Sequence, residues 1–268
     1  MKKWIKISLW TLFLIALIAL GFFVKQTLDA KQLPDPEINI SSDGDNTFIT
    51  KQELLDRLKR KGFVFDNQKR SELEIEEIEG FIADISQVKS VDVFQQLNGT
   101  WKVNVELRKP IARIYNKANE NFYLDEDGNT FLTTPTHTSR TLIITGEIED
   151  RQNSISVTEI INNDSLITIR KLDDIYRISR YVCNDPLFHS LIGQIHLQKN
   201  GDFTLVPLVG DQQVIFGTAH SDEEVQQKFK KLKIFYNEAM PFEGWDTYSE
   251  ISLKFEDQIV CKKKDGNE

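Results

Sequence analysis

The chain has 268 residues, 40% apolar and 28% charged, with 33 Lys and Arg against 41 Asp and Glu for a net charge of −8. This composition excludes a wholly disordered or fibrous chain, leaves room for two small domains, and with two cysteines, Cys183 and Cys261, excludes a disulfide-rich scaffold and an all-cysteine zinc site. The first 25 residues hold four lysines and no acid, so the remainder carries −12, which argues against general nucleic-acid binding.

From Ile7 to Val24 the chain runs 18 residues without a charge. As a helix this stretch spans roughly 27 Å, close to the hydrocarbon thickness of a bilayer. Lys2, Lys3 and Lys6 before it predict a cytoplasmic N-terminus. Trp4 and Trp10 at one end, and Phe22 and Phe23 at the other, suit aromatic anchoring at the interfaces. A cleaved signal peptide is the competing reading, but it has a shorter apolar region and a small-x-small site. Leu28-Asp29-Ala30 is a poor site of that kind, and the lack of a Cys after the run argues against a lipoprotein. The expectation is a cytoplasmic tail over 1–6, one uncleaved span over 7–24, and a juxtamembrane linker over 25–37 that contains Pro34 and Pro36.

Beyond the linker, Glu37–Ile40 reads as a short strand. Thr50 with Glu53 forms a capping box for a helix with Leu54, Leu55 and Leu58 on one face, ending at Gly62. Ser71 with Glu74 repeats the box ahead of Ile75, Ile78, Ile82 and Ile85. The period then changes to two: Val91 and Val93 precede the hairpin turn Asn98-Gly99, and Val103, Val105 and Leu107 follow it. The predicted order is strand, helix, helix, strand, strand.

Past Pro110 the pattern is mostly β. Ile111, Arg113 and Tyr115 lead to a hairpin over Asn121–Thr133 that turns at Asp125–Asn129. Leu142-Ile143-Ile144 is a short strand closed by Gly146, and 147–164 is a polar, insertion-like region. Residues 165–182 fit one helix with Leu166, Ile169, Leu172, Tyr176 and Val182 inward. Ile195–Gln198 and Phe203–Leu208 pair across Asn200-Gly201, and Val214–Phe216 adds a strand. Ser221 with Glu224 caps a helix that buries Val225, Phe229, Leu232 and Tyr236 and stops at Pro241. Tyr248–Cys261 is a closing strand, and 262–268 a disordered tail.

No catalytic site emerges. Ser86-Gln87-Val88-Lys89 has S-x-x-K spacing, but S-D-N and K-T-G are absent. Asp125-Glu126-Asp127-Gly128 has its glycine at the fourth position, where a calcium loop needs it at the sixth, so turn geometry is the simpler reading; Asp43-Gly44-Asp45-Asn46 reads the same way. His137, His189, His196 and His220 lack metal-ligand spacing. Cys183 and Cys261 are read as two buried thiols, with a disulfide as the alternative. Glu72, Glu74, Glu76, Glu77 and Glu79 make an acidic run, read as a solvated helix face. Neither metal nor cofactor is expected, and no small-molecule substrate.

The stretch Val91–Ile114 (VDVFQQLNGTWKVNVELRKPIARI) resembles the end of the POTRA domain in bacterial cell-division proteins of the FtsQ/DivIB family: a strand, an Asn/Gly turn, an alternating strand, then Arg108-Lys109-Pro110-Ile111-Ala112. Asn121–Thr133 resembles the hairpin that opens that family's β domain, and Leu142–Gly146 its next strand. The resemblance covers almost the whole chain, departing from the family at 147–164 and in the short C-terminal tail. It implies an α+β fold with a single N-terminal transmembrane helix. A POTRA-like βααββ domain over 38–110 follows, then a β-rich mixed domain over 111–261 with helices packed on an antiparallel sheet. It also implies a non-enzymatic divisome scaffold in the bacterial inner membrane, with periplasmic domains, located at the septum. Such a scaffold binds FtsB/FtsL-type coiled-coil partners and other divisome membrane proteins, linking early division proteins to septal peptidoglycan synthesis. The competing functions are a POTRA-bearing accessory protein of secretion or outer-membrane assembly, a membrane-anchored enzyme acting on peptidoglycan, and a single-span sensor.

A strand over Ile251–Cys261 with a free edge would accept an extended partner segment. Leu253, Phe255, Ile259 and Cys261 are expected on one face of it, with Lys254 and Val260 on the other. Leu253, Lys254, Phe255, Ile259 and Val260 are therefore the candidate partner-binding residues. An internal strand whose apolar residues are all core is the alternative.

Overall fold

The computed structural model describes residues 2–42, 47–96, 98–152 and 156–264. The chain divides into two units, one of residues 1–43 and 49–107, the other of 44–48 and 108–268.

The first unit begins with α1 (Lys2–Asp29), whose 21-residue stretch Ile7–Thr27 is long and apolar enough to cross a membrane, the one such helix among the described residues. The helix runs past Lys25 into the predicted linker, since nothing in Lys25–Asp29 interrupts a helical backbone and Thr27 donates its hydroxyl to the Phe23 carbonyl at 2.8 Å. After it come β1 (Glu37–Ser41), α2 (Lys51–Lys61), α3 (Ile75–Ala83), β2 (Val88–Gln95) and β3 (Trp101–Leu107). In the sheet β3 is central, parallel to β1 and antiparallel to β2. Leu54 and Leu58 of α2 and Ile78 and Ile82 of α3 are buried, as are Ile38, Val93, Val103 and Val105 of the strands. The Thr50 hydroxyl accepts from the Glu53 N–H at 3.1 Å.

Ser71 does not cap α3. It sits in a 3-10 turn, Arg70–Glu72, where the Glu72 carboxylate accepts from the Lys69 N–H at 2.7 Å, and Glu74 takes the cap position without a side-chain bond. Longer-range bonds fix this turn: Arg70 N–H donates to the Lys31 carbonyl, and the Gln68 amide spans the Phe63 and Glu72 carbonyls. Asp43-Gly44-Asp45-Asn46 lies outside the described residues.

The second unit contains β4 (Pro110–Tyr115), β5 (Asn121–Asp125), β6 (Thr130–Leu132), β7 (Leu142–Gly146), β8 (Ile192–Leu197), β9 (Phe203–Pro207), β10 (Gln213–Gly217), β11 (Tyr248–Ser252) and β12 (Val260–Lys263). Among the described residues they form one sheet, in the order β12-β11-β10-β9-β8-β7-β4-β5-β6. The sheet is mixed where an antiparallel one was expected: β4–β7, β7–β8 and β10–β11 are parallel. The reason is topological, because a parallel neighbour needs a crossover. Helices α4 (Val157–Ile161), α5 (Asp164–Ile167), α6 (Leu172–Asn184) and α7 (Pro186–Leu191) carry the chain from β7 to β8, and α8 (Asp222–Ile234) with α9 (Met240–Glu243) from β10 to β11.

The helices bury one face of this sheet. Ile144, Ile195, Leu205, Val214 and Ile251 lie in register across five strands and join a core with Ile178, Val182, Phe188, Phe229 and Leu232. Phe229 is at its centre, stacked on Tyr181 at 4.4 Å and tilted against Phe188 and Phe216 at 4.8 and 5.0 Å. The opposite face carries Ile143, Thr145, His196 and Ile215, all partly or fully exposed.

Four further expectations need correction. The helix read over 165–182 is two, α5 and α6, and Ile169 between them is 72% exposed; the buried Asp150 carboxylate accepts the Lys171 N–H at 3.0 Å where α6 starts. The insertion-like 147–164 is packed in its later part, with Val157 and Ile160 in the core and Ser156 and Glu159 capping each other; residues 153–155 lie outside the described residues. Pro241 does not end its helix. The helix widens into a π turn over Phe235–Ala239 and continues as α9, which relieves the clash of a proline ring with the carbonyl four residues back. The predicted closing strand is two strands with a turn between them, and the predicted tail enters the sheet through Lys263, after which Lys264 N–H donates to the Thr247 carbonyl; 265–268 lie outside the described residues. The second unit also takes in Phe48, fully buried and edge-on to Tyr123, Phe131 and His137.

Candidate partner-binding edge

β11 is interior, paired in parallel with β10 and antiparallel with β12. β12 is outermost in the sheet, so among the described residues one side of its backbone has no neighbouring strand. Ser252 lies opposite Val260, Ile251 opposite Cys261, and Glu250 opposite Lys262. Because Ile251 faces the helices, Cys261 does too, while Val260 and Lys262 face the uncovered side.

The five candidate residues separate on this frame. Leu253 is 0% exposed, and its N–H donates to the Ile215 carbonyl at 2.9 Å, so it is core and cannot meet a partner in the folded chain. Ile259 is half-buried against the same core. Lys254 pairs with Asp202 at 2.6 Å. Phe255 is 49% exposed in the turn, and Val260 is 42% exposed on the edge. Leu253 and Phe255 therefore do not share one strand face: the chain leaves the β conformation after Ser252, and the turn carries Phe255 outward.

The turn is held from beneath by α8. Lys231 donates its ammonium to the Phe255 and Glu256 carbonyls at 2.6 and 2.9 Å. A groove of about 420 Å³ lies between helix and turn, with Lys228, Lys231, Lys254 and Phe255 in its wall. Gly217 forms part of the floor. Its φ is +80°, and a Cβ there would stand 3.1 Å from Lys254 Cγ, so only glycine suits both backbone and turn. Deeper in, Lys228 bonds Glu224 at 2.5 Å and the Thr218 carbonyl at 2.8 Å, with its ammonium 5.1 Å from the Phe216 ring centre. Burial works to raise the Glu224 carboxyl, but the Lys228 and Thr218 hydrogen bonds and the lysine's charge overcome it, and the net direction is down.

These contacts were not legible in the chain. Lys231 falls on a helix face that reads as solvated, and nothing local marks it as a clamp across 24 residues. The position of β12 depends on the crossover through α8, which sequence periodicity does not encode.

The other motifs are structural. The Asp125 carboxylate is buried, accepts the N–H groups of Asp127 and Asn129, and pairs with Arg108 at 2.8 Å, closing the hairpin as an Asx turn. Lys89 lies in β2, 3.6 Å from Glu106. Glu79 of the acidic run accepts the Val93 N–H at 2.8 Å. Cys183 donates its thiol to the Ile111 carbonyl at 3.3 Å, and burial raises its pKa to about 11; burial and then the Glu243 charge raise Cys261. No group of three or more His, Cys, Asp or Glu side chains that could hold a metal ion occurs among the described residues.

The described residues form an apolar N-terminal helix long enough to cross a membrane, a βααββ unit and a helix-backed mixed sheet. A POTRA-like domain model matches residues 35–106. The model described as FtsQ/DivIB, C-terminal related, matches 109–262, more than half of the chain, and the chain belongs to that family of cell-division proteins. No match was found among curated proteins.

Proposed function

We propose that this cell-division protein is a non-enzymatic divisome scaffold of the bacterial inner membrane. In this reading its N-terminus is cytoplasmic and both units are periplasmic at the septum. It joins early division proteins to septal peptidoglycan synthesis by binding FtsB/FtsL-type coiled-coil partners. The observation that carries the proposal is β12, an outermost strand with Val260 exposed on it and Phe255 exposed in the turn before it, in a chain of this family. A partner segment adding to β12 gains backbone hydrogen bonds, and Phe255 offers a ring for a side-chain contact.

The test combines a fluorescent fusion at the N-terminus with co-purification of the FtsB-type protein from the same cells. A mid-cell band before constriction, and loss of co-purification with Val260→Pro while the circular dichroism spectrum is kept, is the expected result. Uniform envelope fluorescence from a functional fusion would instead favour an accessory role in secretion or outer-membrane assembly. Turnover of purified peptidoglycan, abolished by a point mutation, would overturn the non-enzymatic reading.

A further inference from the structure

We infer that the strand taken by β12 is acidic, and that Lys262 and Lys263 select it; this rests on the reading of β12 as the docking edge. Lys262 and Lys263 are adjacent, so they project from opposite faces of the strand, and both are exposed. Neither makes an ion pair with any described residue, unlike the lysines around them: Lys254 pairs with Asp202 at 2.6 Å, and Lys264 reaches Asp211 at 3.3 Å and Asp246 at 3.8 Å. The chain beyond residue 25 carries −12, so an acidic peptide is repelled by most of this surface and meets two exposed lysines at β12, Lys263 opposite Tyr248 and Lys262 opposite Glu250, which Lys262 does not bridge.

Strand addition brings partner side chains to about 4.5–5.5 Å, Cβ to Cβ, from those of the edge. At that distance carboxylates opposite Lys262 and Lys263 pair on both faces of the new ladder. The same lysines act against the other available occupant, a second copy of this chain. Two β12 edges brought together set lysine near lysine, which opposes self-pairing. Each exposed pair contributes little, so the edge backbone supplies the binding and the lysines supply the choice.

The experiment uses the full chain in lipid nanodiscs and three peptides of equal length that alternate valine with glutamate, serine or lysine. Affinity and amide-exchange protection at Val260–Lys263 are measured together. The expected result is that the glutamate peptide binds about threefold to tenfold more tightly than the serine peptide at low salt, and the lysine peptide most weakly. The preference shrinks at about 0.5 M salt, and it disappears in Lys262→Ser/Lys263→Ser with the circular dichroism spectrum kept. Equal affinity for all three peptides overturns the charge selection and leaves strand docking standing. No protection of β12 by any peptide overturns both. A chain dimer in sedimentation, with β12 protected in it, replaces the acidic strand by a second copy as occupant.

Discussion

Two residues apart, Leu253 is buried and Phe255 half-exposed, and substitution separates them. Leu253→Ala removes a fully buried side chain and is expected to cost about 2–5 kcal/mol in urea unfolding of the second unit. Phe255→Asp, at a half-exposed turn position, is expected to leave that midpoint nearly unchanged and to weaken partner co-purification. Asp150 is a second informative residue. Burial is the main cause that raises its carboxyl, ahead of the Lys171 N–H and Arg170, which lower it, and Asp173, which raises it again. A carboxyl whose folded pKa lies above its unfolded value binds its proton more tightly in the folded state, so it stabilises increasingly as pH falls through that folded value and costs stability at neutral pH. The stability of the natural chain relative to Asp150→Asn is therefore expected to rise between neutral and mildly acidic pH in denaturant titrations. A difference that is flat or falls over that range would show that Arg170 and Lys171 already hold the carboxyl down. The sequence marks Asp150 as one more acid in a polar stretch, and its contacts with Asn116, Arg170 and Lys171 lie some 20 to 34 residues away along the chain.

Helix starts were the most legible elements wherever the cap is local. Thr50 and Ser221 each accept the N–H three residues on, as their spacing predicts. Ser221→Ala is expected to cost about 1 kcal/mol, read as a lower midpoint in thermal or urea unfolding. Ser71 has the same spacing and fails, because Lys31 and Gln68 hold the preceding turn in another shape. The hairpins at Asn98-Gly99 and Asp125–Asn129 were legible for the same local reason. The closing segment was not: alternation in Ile251–Cys261 suggested one strand, and only the Leu253 bond to Ile215 and the Lys231 clamp turn it into two. Lys231→Met is expected to speed amide exchange at Val260–Lys263 with little effect on exchange in β8 and β9, since those strands are held by neighbours on both sides.

At the scale of the whole molecule, the order of a membrane-length helix, a βααββ unit and a β-rich unit was readable from the chain, and the strand order of the larger sheet was not. Phe48 shows why: it follows β1 in sequence, yet it completes an aromatic cluster with Tyr123 and Phe131 in the second unit. Phe48→Ala is expected to destabilise that unit by about 3–5 kcal/mol, seen as faster exchange in β5 and β6. The strand order also has a mechanical meaning. After the first unit the chain re-enters the second at Arg108, ahead of β4, and β12 stands six ladders from β4, about 29 Å across the sheet. Tension applied between β12 and β4 passes through those ladders in series. The shortest links are β4–β7, β9–β10 and β10–β11, each with three residue pairs in register, and the chain crosses each of them covalently, through α8 and α9 in the case of β10–β11. The β11–β12 ladder has four pairs, so a pull on β12 reaches shorter ladders further in, and the covalent crossovers beside those ladders are what hold the sheet together under load.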